Sequence, residues 1–492
     1  MAVSFETILS RATAGKPLQR SQIFKPSWFY FMTQDPFWVW CEYHAPKSRR
    51  LDETSRFDQF RMDGGGRWED QYVAHQYPNA YQVQAPWGSP ALHETIRAML
   101  RGETAIHGAA LWLLGYNVYG QADVLVRCND QASDLGNFHY RVKEVKNASK
   151  LKQYPQLQAA TYHWILSKLQ GYCPDSFDIV LGDGCGEETI NYQTTAGTMR
   201  QYLAEWKAIR DQKSKPAPIA LNTTLSPWRQ YANELLTEQE HLSLLPGVGR
   251  ATALTLRDQG FETLGDILDL GPDGCVREFN HDHHYYHALA YHRQQPVFRP
   301  GQSVAVRRKR RIVHFDVEDI SVLDGNLVTR PHTYMLGVAT PDDHTKIWTA
   351  RGQDDEARMW QDFLDWLGDP SDVALYCWTR YESTKLLQAA TDHPALATRL
   401  HAVQQALIDL KEEIKHRPYF PVSSYSIKSV APVCGFHWSQ GDVDGQSAQL
   451  MYIDWLQNGD DTIIQKVEQY NREDVLAMLA VDRYVHQISQ GR

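Results

Sequence analysis

The chain has 492 residues, more than one hydrophobic core usually serves, so we expect two or three domains. Hydrophobic residues make up 42% of the sequence without a run long enough to cross a bilayer, which excludes a membrane-spanning segment. The net charge is -9, so a polyanionic partner would have to be bound by local basic patches. The N-terminus lacks the basic start and apolar block of a secretory signal, and we therefore expect a cytoplasmic location.

The first third of the chain contains an aromatic segment, a glycine-rich segment, two strands and a helix. Residues 24–43 (FKPSWFYFMTQDPFWVWCEY) are interpreted as an aromatic helix lining the core. Farther on, GGRWE ends at Glu69, four residues after a glycine. The segments YGQADVLVR (119–127) and YRVKEVK (140–146) are rich in β-branched and aromatic residues, which predicts strands. LQAATYHWILSKL (157–169) predicts a helix.

These predicted elements carry groups suited to metal-dependent chemistry. Side chains two apart on a strand share a face, so Glu144 and Lys146 point together toward the position that Asp123 faces. The spacing of four places Gln158 and Tyr162 on one side of the helix. Carboxylates hold a hard divalent cation and a cationic group can act on water, as cutting a phosphodiester requires. The alternative is an exposed ion pair on a strand.

The order Gly-x-x-x-Glu, Gly-x-x-Asp, Glu-x-Lys and Gln-x-x-x-Tyr resembles the RecB family of PD-(D/E)xK nucleases. The resemblance implies a restriction-endonuclease-like core in residues 1–235. In that family the Asp and the Glu of Glu-x-Lys bind Mg²⁺ or Mn²⁺, while the upstream Glu supports the metal environment. The Lys positions or activates water, and the Gln and Tyr hold the substrate or the site. The residues implied here are Glu69, Asp123, Glu144, Lys146, Gln158 and Tyr162.

The cysteines do not form a metal-binding or disulfide pattern. Some relatives hold an iron–sulfur cluster with one Cys near position 41 and a later Cys-x2-Cys-x5-Cys. Here Thr223, Ser226 and Ala232 occupy the later positions, so no iron–sulfur cluster is expected, because these side chains cannot replace thiolates. No Cys-x-x-Cys occurs, which argues against a zinc ribbon. We expect mostly free thiols at Cys41, Cys128, Cys173, Cys185, Cys275, Cys377 and Cys434.

The first predicted domain closes with two strands and a helix. FDIVLGD (177–183) and ETINYQT (188–194) predict strands, and MRQYLAEWKAIRDQ (199–212) predicts an amphipathic helix. These elements would complete a mixed sheet flanked by helices. The polar, Pro-containing segment 213–227 is interpreted as an extended connector.

A glycine pair marks the segment 236–298. In LLPGVGR, Gly247 and Gly249 lead into a predicted helix whose free backbone N–H groups are suited to a phosphate. The pattern resembles a helix-hairpin-helix element, which implies that the glycine loop and Arg250 contact a nucleic-acid backbone without sequence preference. The alternative is a turn that packs the flanking domains. Downstream, HDHHYYHALAYH lacks a His-Glu-x-x-His pattern, and we predict solvated histidines on a connecting helix.

The last third of the chain predicts another set of strands and helices. RRKRR (307–311) is either a solvated strand edge or a guide for a phosphate backbone. It leads into IVHFDVED, where Asp316 and Glu318 share a strand face. Strands TYMLGVAT and TKIWTA, a helix 356–367, strand 373–376 and helix WTRYESTKLL follow. A long C-terminal helix places Tyr470 and Asp474 one turn apart.

This order is typical of an RNase H-like α/β domain, and Asp-x-Glu, a later acid and Tyr-x-x-x-Asp resemble the tyrosine subgroup of DEDD exonucleases. The resemblance covers residues 299–492. It implies that the acids hold two divalent ions and that Tyr470 orients water. Glu382 departs from the family, which has Asp there, and the extra methylene puts the activity of this site in doubt. The alternative is a fold kept for binding or packing. The implied metal ligands are Asp316, Glu318, Glu382 and Asp474.

The combination resembles fused predicted RecB-family nucleases of bacteria, an α/β multidomain architecture with a small α-helical hairpin element. The resemblance implies a metal-dependent DNA nuclease, exonucleolytic, in DNA repair, recombination or defence. One alternative is a nucleic-acid-binding scaffold with one or both sites inert, which serves a separate helicase partner. Another is an RNA exonuclease. The chain has no Gly-x-x-x-x-Gly-Lys-Ser/Thr loop and is not itself a helicase of that type.

Overall fold

The computed structural model describes residues 3–15, 22–53, 55–182, 186–322, 327–439 and 443–490. The chain divides into two compact units, Met1–Leu236 and Thr237–Arg492. Each unit is a mixed α/β structure built on its own sheet. Apart from Leu236, the segments assigned above to 236–298 and 299–492 both lie in the second unit, so the division between them stays a prediction.

The first unit contains a six-stranded mixed sheet whose strands follow one another in chain order. Strands 1 and 2 are parallel, as are strands 4 and 5, and the other neighbours are antiparallel. The strands are β1 Tyr81–Gln82, β2 Ala105–Leu113, β3 Val118–Cys128, β4 His139–Lys146, β5 Ser176–Leu181 and β6 Gly186–Asn191.

Helices cover this sheet, and most of them share its main hydrophobic core, whereas Val73 of the helix 56–76 packs with Ala105 and Val124 in a separate cluster. The helices are α1 Phe5–Thr13, α2 Phe29–Met32, α3 Phe37–His44, α4 Arg56–Gln76, α5 Ser89–Arg101, α6 Gln153–Gln170, α7 Tyr192–Arg210 and α8 Arg229–Glu238. The strands and helix predicted for the Asp123, Glu144 and Gln158 motifs are confirmed as β3, β4 and α6.

Two local predictions in the first unit need correction. The aromatic segment 24–43 is not one helix: a 3-10 turn at Pro26–Trp28 precedes α2 and α3. Pro26 and Pro36 lack a backbone N–H and so cannot continue a helix, although the aromatic side chains do line the core as expected. The predicted strand 188–194 ends at Asn191, whose side chain caps α7 by accepting from the N–H of Gln193. Asp183 and Cys185 lie outside the described residues.

The second unit contains a five-stranded mixed sheet in the order β11-β10-β7-β8-β9. The pairs β11–β10 and β10–β7 are parallel, while β7–β8 and β8–β9 are antiparallel. The strands are β7 Arg311–Ile320, β8 His332–Ala339, β9 Thr345–Thr349, β10 Val373–Cys377 and β11 Leu407–Asp409.

Helices cover both faces of this second sheet, and three further α-helices in the described part of this unit precede the sheet in the chain. Along β10, Val373 and Leu375 belong to one buried cluster, whereas Ala374 and Tyr376 belong to another, as the two-residue period of a strand requires. The helices are α9 Arg250–Asp258, α10 Leu264–Phe279, α11 His283–Arg293, α12 Glu356–Leu367, α13 Tyr381–Asp392, α14 Ala397–Ala406, α15 Leu410–Ile414, α16 Ile427–Val433, α17 Gly445–Asn458 and α18 Asp461–Gln490. The predicted helix 356–367 and the long C-terminal helix are confirmed.

The histidines of α11 are not all solvated, contrary to the prediction. His287 is buried, and its Nε2 lies 3.0 Å from Nδ1 of His416. His283 stacks on the ring of His416, and its Nδ1 lies 2.9 Å from the hydroxyl of Tyr419. The prediction failed because the partners lie more than a hundred residues away along the chain, where local pattern carries no information.

Two bulk predictions concern membranes and cysteines. Among the described helices, none has both the length and the apolar composition to cross a membrane. Free thiols are confirmed at the six cysteines within the described ranges. Cys128 lies with Asp130 and His139, and their candidate ligand atoms are within 4.8 Å of one another.

Candidate active sites

The first candidate site lies where β3, β4 and α6 meet. Glu144 and Lys146 are two residues apart on β4, so both side chains project from the same face of the sheet. Nζ of Lys146 donates to Oε1 of Glu144 at 2.6 Å. The same ammonium lies 3.3 Å from Oδ2 of Asp123 on β3. The backbone N–H of Val145 also donates to this oxygen at 2.7 Å. The predicted triplet is thus one bonded group, not an exposed ion pair.

The helix α6 closes this site with two polar side chains. Nε2 of Gln158 donates to Oε1 of Glu144 at 2.6 Å and lies 3.4 Å from the hydroxyl of Tyr162. Gly120 on β3 makes room for the tyrosine, because a Cβ there would lie 2.4 Å from Cε1 of Tyr162. The glycine of Gly-x-x-Asp therefore lets the ring approach the strand backbone closely.

Burial and like charge shape the electrostatics of this site. Glu144 is fully buried, and desolvation followed by the charge of Asp123 raises its pKa to about 8. Its Oε2 is buried without a hydrogen-bond partner among the described residues. Burial would lower the pKa of Lys146, but the nearby carboxylates Asp123 and Glu144 outweigh burial and raise it.

Glu69 reaches the same site from α4. Its Oε1 lies 3.1 Å from Nε2 of His107 on β2, and its charge contributes to the raised pKa of Glu144. The hydrogen bond to Glu69 raises the pKa of His107. Sequence reasoning missed His107. The available signal was a histidine in the otherwise apolar strand AIHGAALWL, but a strand histidine alone does not indicate which carboxylate it contacts.

These residues fit a hard divalent cation. Two carboxylates share the site, and the unpartnered Oε2 of the buried Glu144 is an oxygen donor that the protein leaves unsatisfied. Mg²⁺ and Mn²⁺ prefer carboxylate oxygens. The donor set therefore matches the metals that the sequence resemblance implies.

The predicted phosphate loop lies at the start of α9. Gly247 has a positive φ of 85°, and Gly249 is the N-cap of α9 without a side-chain cap. A Cβ at either glycine would meet nothing within 4 Å. The backbone N–H groups at the start of this helix are thus not capped by a side chain, but the phosphate contact itself stays a prediction.

The second candidate site joins β7 to α18. Asp316 and Glu318 are two residues apart on β7 and share a face of the sheet, and Asp474 lies on α18. Carboxylate oxygens of these three residues lie within 4.8 Å of one another. This distance allows one cation to contact all three side chains. The three acids fit a divalent cation, since each supplies a hard oxygen donor.

Glu382 is not part of this group of three. It is buried in the first turn of α13, where its Oε2 accepts from Oγ1 of Thr379 at 3.4 Å. Burial raises the pKa of Glu382 to about 7, and its charge contributes to the raised pKa of Asp316. Glu382 is thus close enough to Asp316 to affect its charge, and its role as a metal ligand stays a prediction.

Asparagine and glycine support the second site much as tyrosine and glycine support the first. Nδ2 of Asn471 on α18 donates to Oδ2 of Asp316 at 2.6 Å. Gly337 on β8 lies opposite Asp316 in the sheet, and a Cβ there would lie 2.0 Å from Oδ1 of Asn471. The helix can approach the sheet at this point only because position 337 lacks a side chain.

Two further residues that sequence reasoning missed contact Asp474. Nε1 of Trp438 donates to Oδ1 of Asp474 at 2.6 Å, and Nζ of Lys428 lies 3.3 Å from the same oxygen. Neither residue belongs to the motifs above, and the segment around them has no spacing that would single them out. Their role becomes visible only from the packing of α16 and the following segment against α18.

Mutual repulsion and burial make the acids of the second site hard to ionise without a cation. Desolvation, followed by the charge of Asp474, raises the pKa of Glu318 to about 8. Desolvation and Glu318 raise the pKa of Asp316 well above its usual value. Burial also raises the pKa values of Asp474 and of the Tyr470 hydroxyl.

The basic run before β7 is largely engaged within the protein. Arg308 makes paired bonds to Asp482 at 2.6 and 2.9 Å, and Arg307 and Arg310 pair with Glu413 and Asp372. Arg308 is therefore used to hold α18 to the segment before β7. The side chains of Arg307 and Arg310 are nevertheless exposed, as expected for a solvated strand edge, and the guide for a phosphate backbone stays a prediction.

Comparison with known families gives a match to part of the second unit. A family model of the RNase H superfamily matches residues 314–486, a range that includes both β7 and α18. The chain thus carries an RNase H-like domain at its C-terminal end, and such a fold is typically a phosphodiester-hydrolysing nuclease. The match does not reach the first site. No curated protein matches the chain significantly.

Proposed function

We propose that this protein is a metal-dependent DNA nuclease, exonucleolytic in action, that works in DNA repair, recombination or defence. The observation that carries the proposal is the convergence of Asp316, Glu318 and Asp474 in the RNase H-like domain. A second nuclease site of the PD-(D/E)xK type, built on Asp123 and Glu144, is part of the proposal. Two carboxylate sites with the same chemical requirement in one chain support a nuclease more than a binding scaffold.

In the first site the protein side chains divide the work. Asp123 and Glu144 would hold Mg²⁺ or Mn²⁺, with Glu69 beside them, and a bound divalent cation lowers the pKa of water and offsets charge on the phosphate. Lys146, already hydrogen-bonded to the carboxylates, would position the attacking water. Gln158 keeps Glu144 in place through its 2.6 Å hydrogen bond.

In the second site, Asp316, Glu318 and Asp474 would hold the cation, with Glu382 nearby. Tyr470 lies one turn before Asp474 on α18, and its hydroxyl would orient water toward the phosphate. The raised pKa of this hydroxyl keeps it protonated at neutral pH, so it acts by hydrogen bonding rather than as a base. The glycine loop before Arg250 would add contacts to the nucleic-acid backbone without reading sequence.

Cleavage of labelled substrates by matched variants tests the proposal. The full chain, Lys146→Met and Asp316→Asn are compared on end-labelled single-stranded DNA, double-stranded DNA, circular DNA and matched RNA, with Mg²⁺, Mn²⁺ or chelator. Lys143→Met and Asp319→Asn are the controls. Each control removes a buried charge from the same strand. Its partners lie outside the proposed metal ligands: Glu187 for Lys143, and Lys385 and Tyr381 for Asp319.

We expect metal-dependent release of nucleotides from linear DNA, with circular DNA resistant. Each site variant should reduce the cutting rate of its own site by about 100-fold or more. The double variant should show no cutting, and the controls should cut at the rate of the unsubstituted chain. Loss in only one single variant would leave the other site as a binding site. Cutting of RNA but not DNA would favour the RNA exonuclease. Binding of DNA without cutting by the unsubstituted chain would refute the enzyme and support the scaffold.

A further inference from the structure

Lys428 places a positive charge inside the acidic site of the second unit. Its Nζ lies 3.3 Å from Oδ1 of Asp474. Burial, followed by the charges of Asp474 and Asp319, raises the pKa of Glu318, and the charge of Lys428 opposes that rise. Among the described residues, no other lysine or arginine forms an ion pair with the three acids of the proposed cation site or with the neighbouring Glu382. Lys428 is thus the cation that the protein itself supplies there.

Two aromatic rings hold this ammonium group. Nζ of Lys428 lies 4.0 Å from the ring centroid of Trp438 and 4.4 Å from that of Tyr470. Cation–π contacts at this distance restrict a side chain that is otherwise flexible. Trp438 also donates to the oxygen of Asp474 that Lys428 contacts, so the lysine, the tryptophan and the aspartate form one fixed group.

The ammonium group is fixed but not enclosed. The side chain of Lys428 is 41% exposed, whereas that of its partner Asp474 is 10% exposed. An ammonium group has three donors, and one carboxylate oxygen satisfies only part of that capacity. The side chain of Lys428 is therefore partly open to solvent beside the acid cluster, where an anionic group can approach it.

The charge of the site explains why such a lysine is needed. A phosphate that approaches several carboxylates is repelled, and a divalent cation held by those carboxylates is largely neutralised by them. A further positive charge fixed beside the acids offsets the charge of the phosphate. Lysine binds phosphate as a point charge and needs no bidentate geometry.

We propose that Lys428 binds a phosphate of the nucleic-acid backbone at the second site, held in position by Trp438 and Tyr470. This inference rests on the proposed nuclease function and adds a substrate contact to that site. The competing explanation is that Lys428 only neutralises Asp474 and thereby stabilises the fold. The two explanations differ in whether the charge of Lys428 contributes to nucleic-acid binding.

Salt dependence of binding separates these explanations. Binding of a fluorescent single-stranded DNA oligonucleotide is measured by anisotropy from about 50 to 300 mM salt, a range that includes 0.1 M ionic strength. The buffer contains Ca²⁺, under conditions where gels show no cutting. The full chain is compared with Lys428→Met, Lys428→Gln and Lys428→Arg. The glutamine variant removes the charge but keeps a donor for Asp474. Lys385→Met is the control, because Lys385 pairs with Asp319, outside the metal ligands.

We expect both neutral variants to reduce the slope of log affinity against log salt by about 0.7, the value for one lost phosphate contact on a single strand. Lys428→Arg and Lys385→Met should keep the slope of the full chain. An unchanged slope in Lys428→Gln would overturn the inference and leave the structural explanation, even if Lys428→Met were unstable. If the slope is unchanged in Lys428→Gln but the full chain still cuts in a metal-dependent manner, the proposed function stands without this inference. Absence of nucleic-acid binding by the full chain would overturn both the inference and the proposed function.

Discussion

Substitution of Gly120 by alanine should both destabilise the first unit and disturb its site. The added Cβ would lie 2.4 Å from Cε1 of Tyr162 and 2.9 Å from Cδ of Pro26. Ordinary contacts of a Cβ are 3.4–4 Å, so the tyrosine ring has to shift by about 1 Å. Such a shift would break the 3.4 Å contact between the Tyr162 hydroxyl and Gln158.

The size of the expected destabilisation by Gly120→Ala follows from overpacking of a closely packed site. Inserting a methyl group where strand, helix and proline already meet costs about 1–3 kcal/mol. For a unit of this size, that loss corresponds to a fall in the unfolding temperature of about 2–12 °C. The activity of the first site should fall as well, because Nε2 of Gln158, which contacts the Tyr162 hydroxyl, also holds Glu144 by a hydrogen bond.

Differential scanning calorimetry of the full chain measures the change, with Gly65→Ala as the matched control. Gly65 lies within α4, and a Cβ there would meet nothing within 4 Å. Alanine in a helix interior is about 0.5–1 kcal/mol more favourable than glycine, so the control should raise the unfolding temperature. Equal unfolding temperatures for Gly120→Ala and the unsubstituted chain would refute the steric argument.

Three further predictions concern the second unit and the acids. Gly337→Ala should destabilise the protein by about 1–3 kcal/mol and free Asn471, seen as a lower unfolding temperature and weaker Mn²⁺ binding. The pKa values of Glu144 and Glu318, raised to about 8, mean that the metal-free protein loses stability as pH rises from 4.5 to 8. Metal binding should therefore strengthen over this range and release protons, which calorimetry in two buffers measures; affinity that falls with rising pH would contradict this. Burial lowers the pKa of His287 to about 3, so its contribution to stability is present above pH 6.5 and is lost toward pH 3. Urea unfolding of His287→Leu should show a smaller loss between pH 7 and 4.5 than the unsubstituted chain, and an equal loss would contradict the assignment.

Short-range spacing made part of both sites predictable. Glu144 and Lys146 share a strand face because side chains on a strand repeat every two residues, and this shared face allows the 2.6 Å bond between them. Tyr470 and Asp474 lie on one helix for the same kind of local reason. The strands and helices that carry them were predictable because β-branched runs and amphipathic repeats are local signals.

The meeting of distant segments was not predictable in the same way. His287 contacts His416, 129 residues away in the chain, and the ammonium of Lys428 reaches Asp474 only because α16 packs on α18. No periodicity relates such residues, so their partners are decided by how helices and sheet pack. From the local sequence alone, a histidine or lysine is as consistent with an exposed position as with a buried one.

By itself the sequence determined which residues share a strand or helix face, since backbone geometry sets those periods. Only the tertiary structure decided which faces meet. It brings Asp474 to Asp316 and Glu318 and leaves Glu382 outside that group, although all four acids fit the sequence pattern. The physical reason is that a cation site requires oxygens within a few ångströms, a distance set by packing across the core rather than by spacing along the chain.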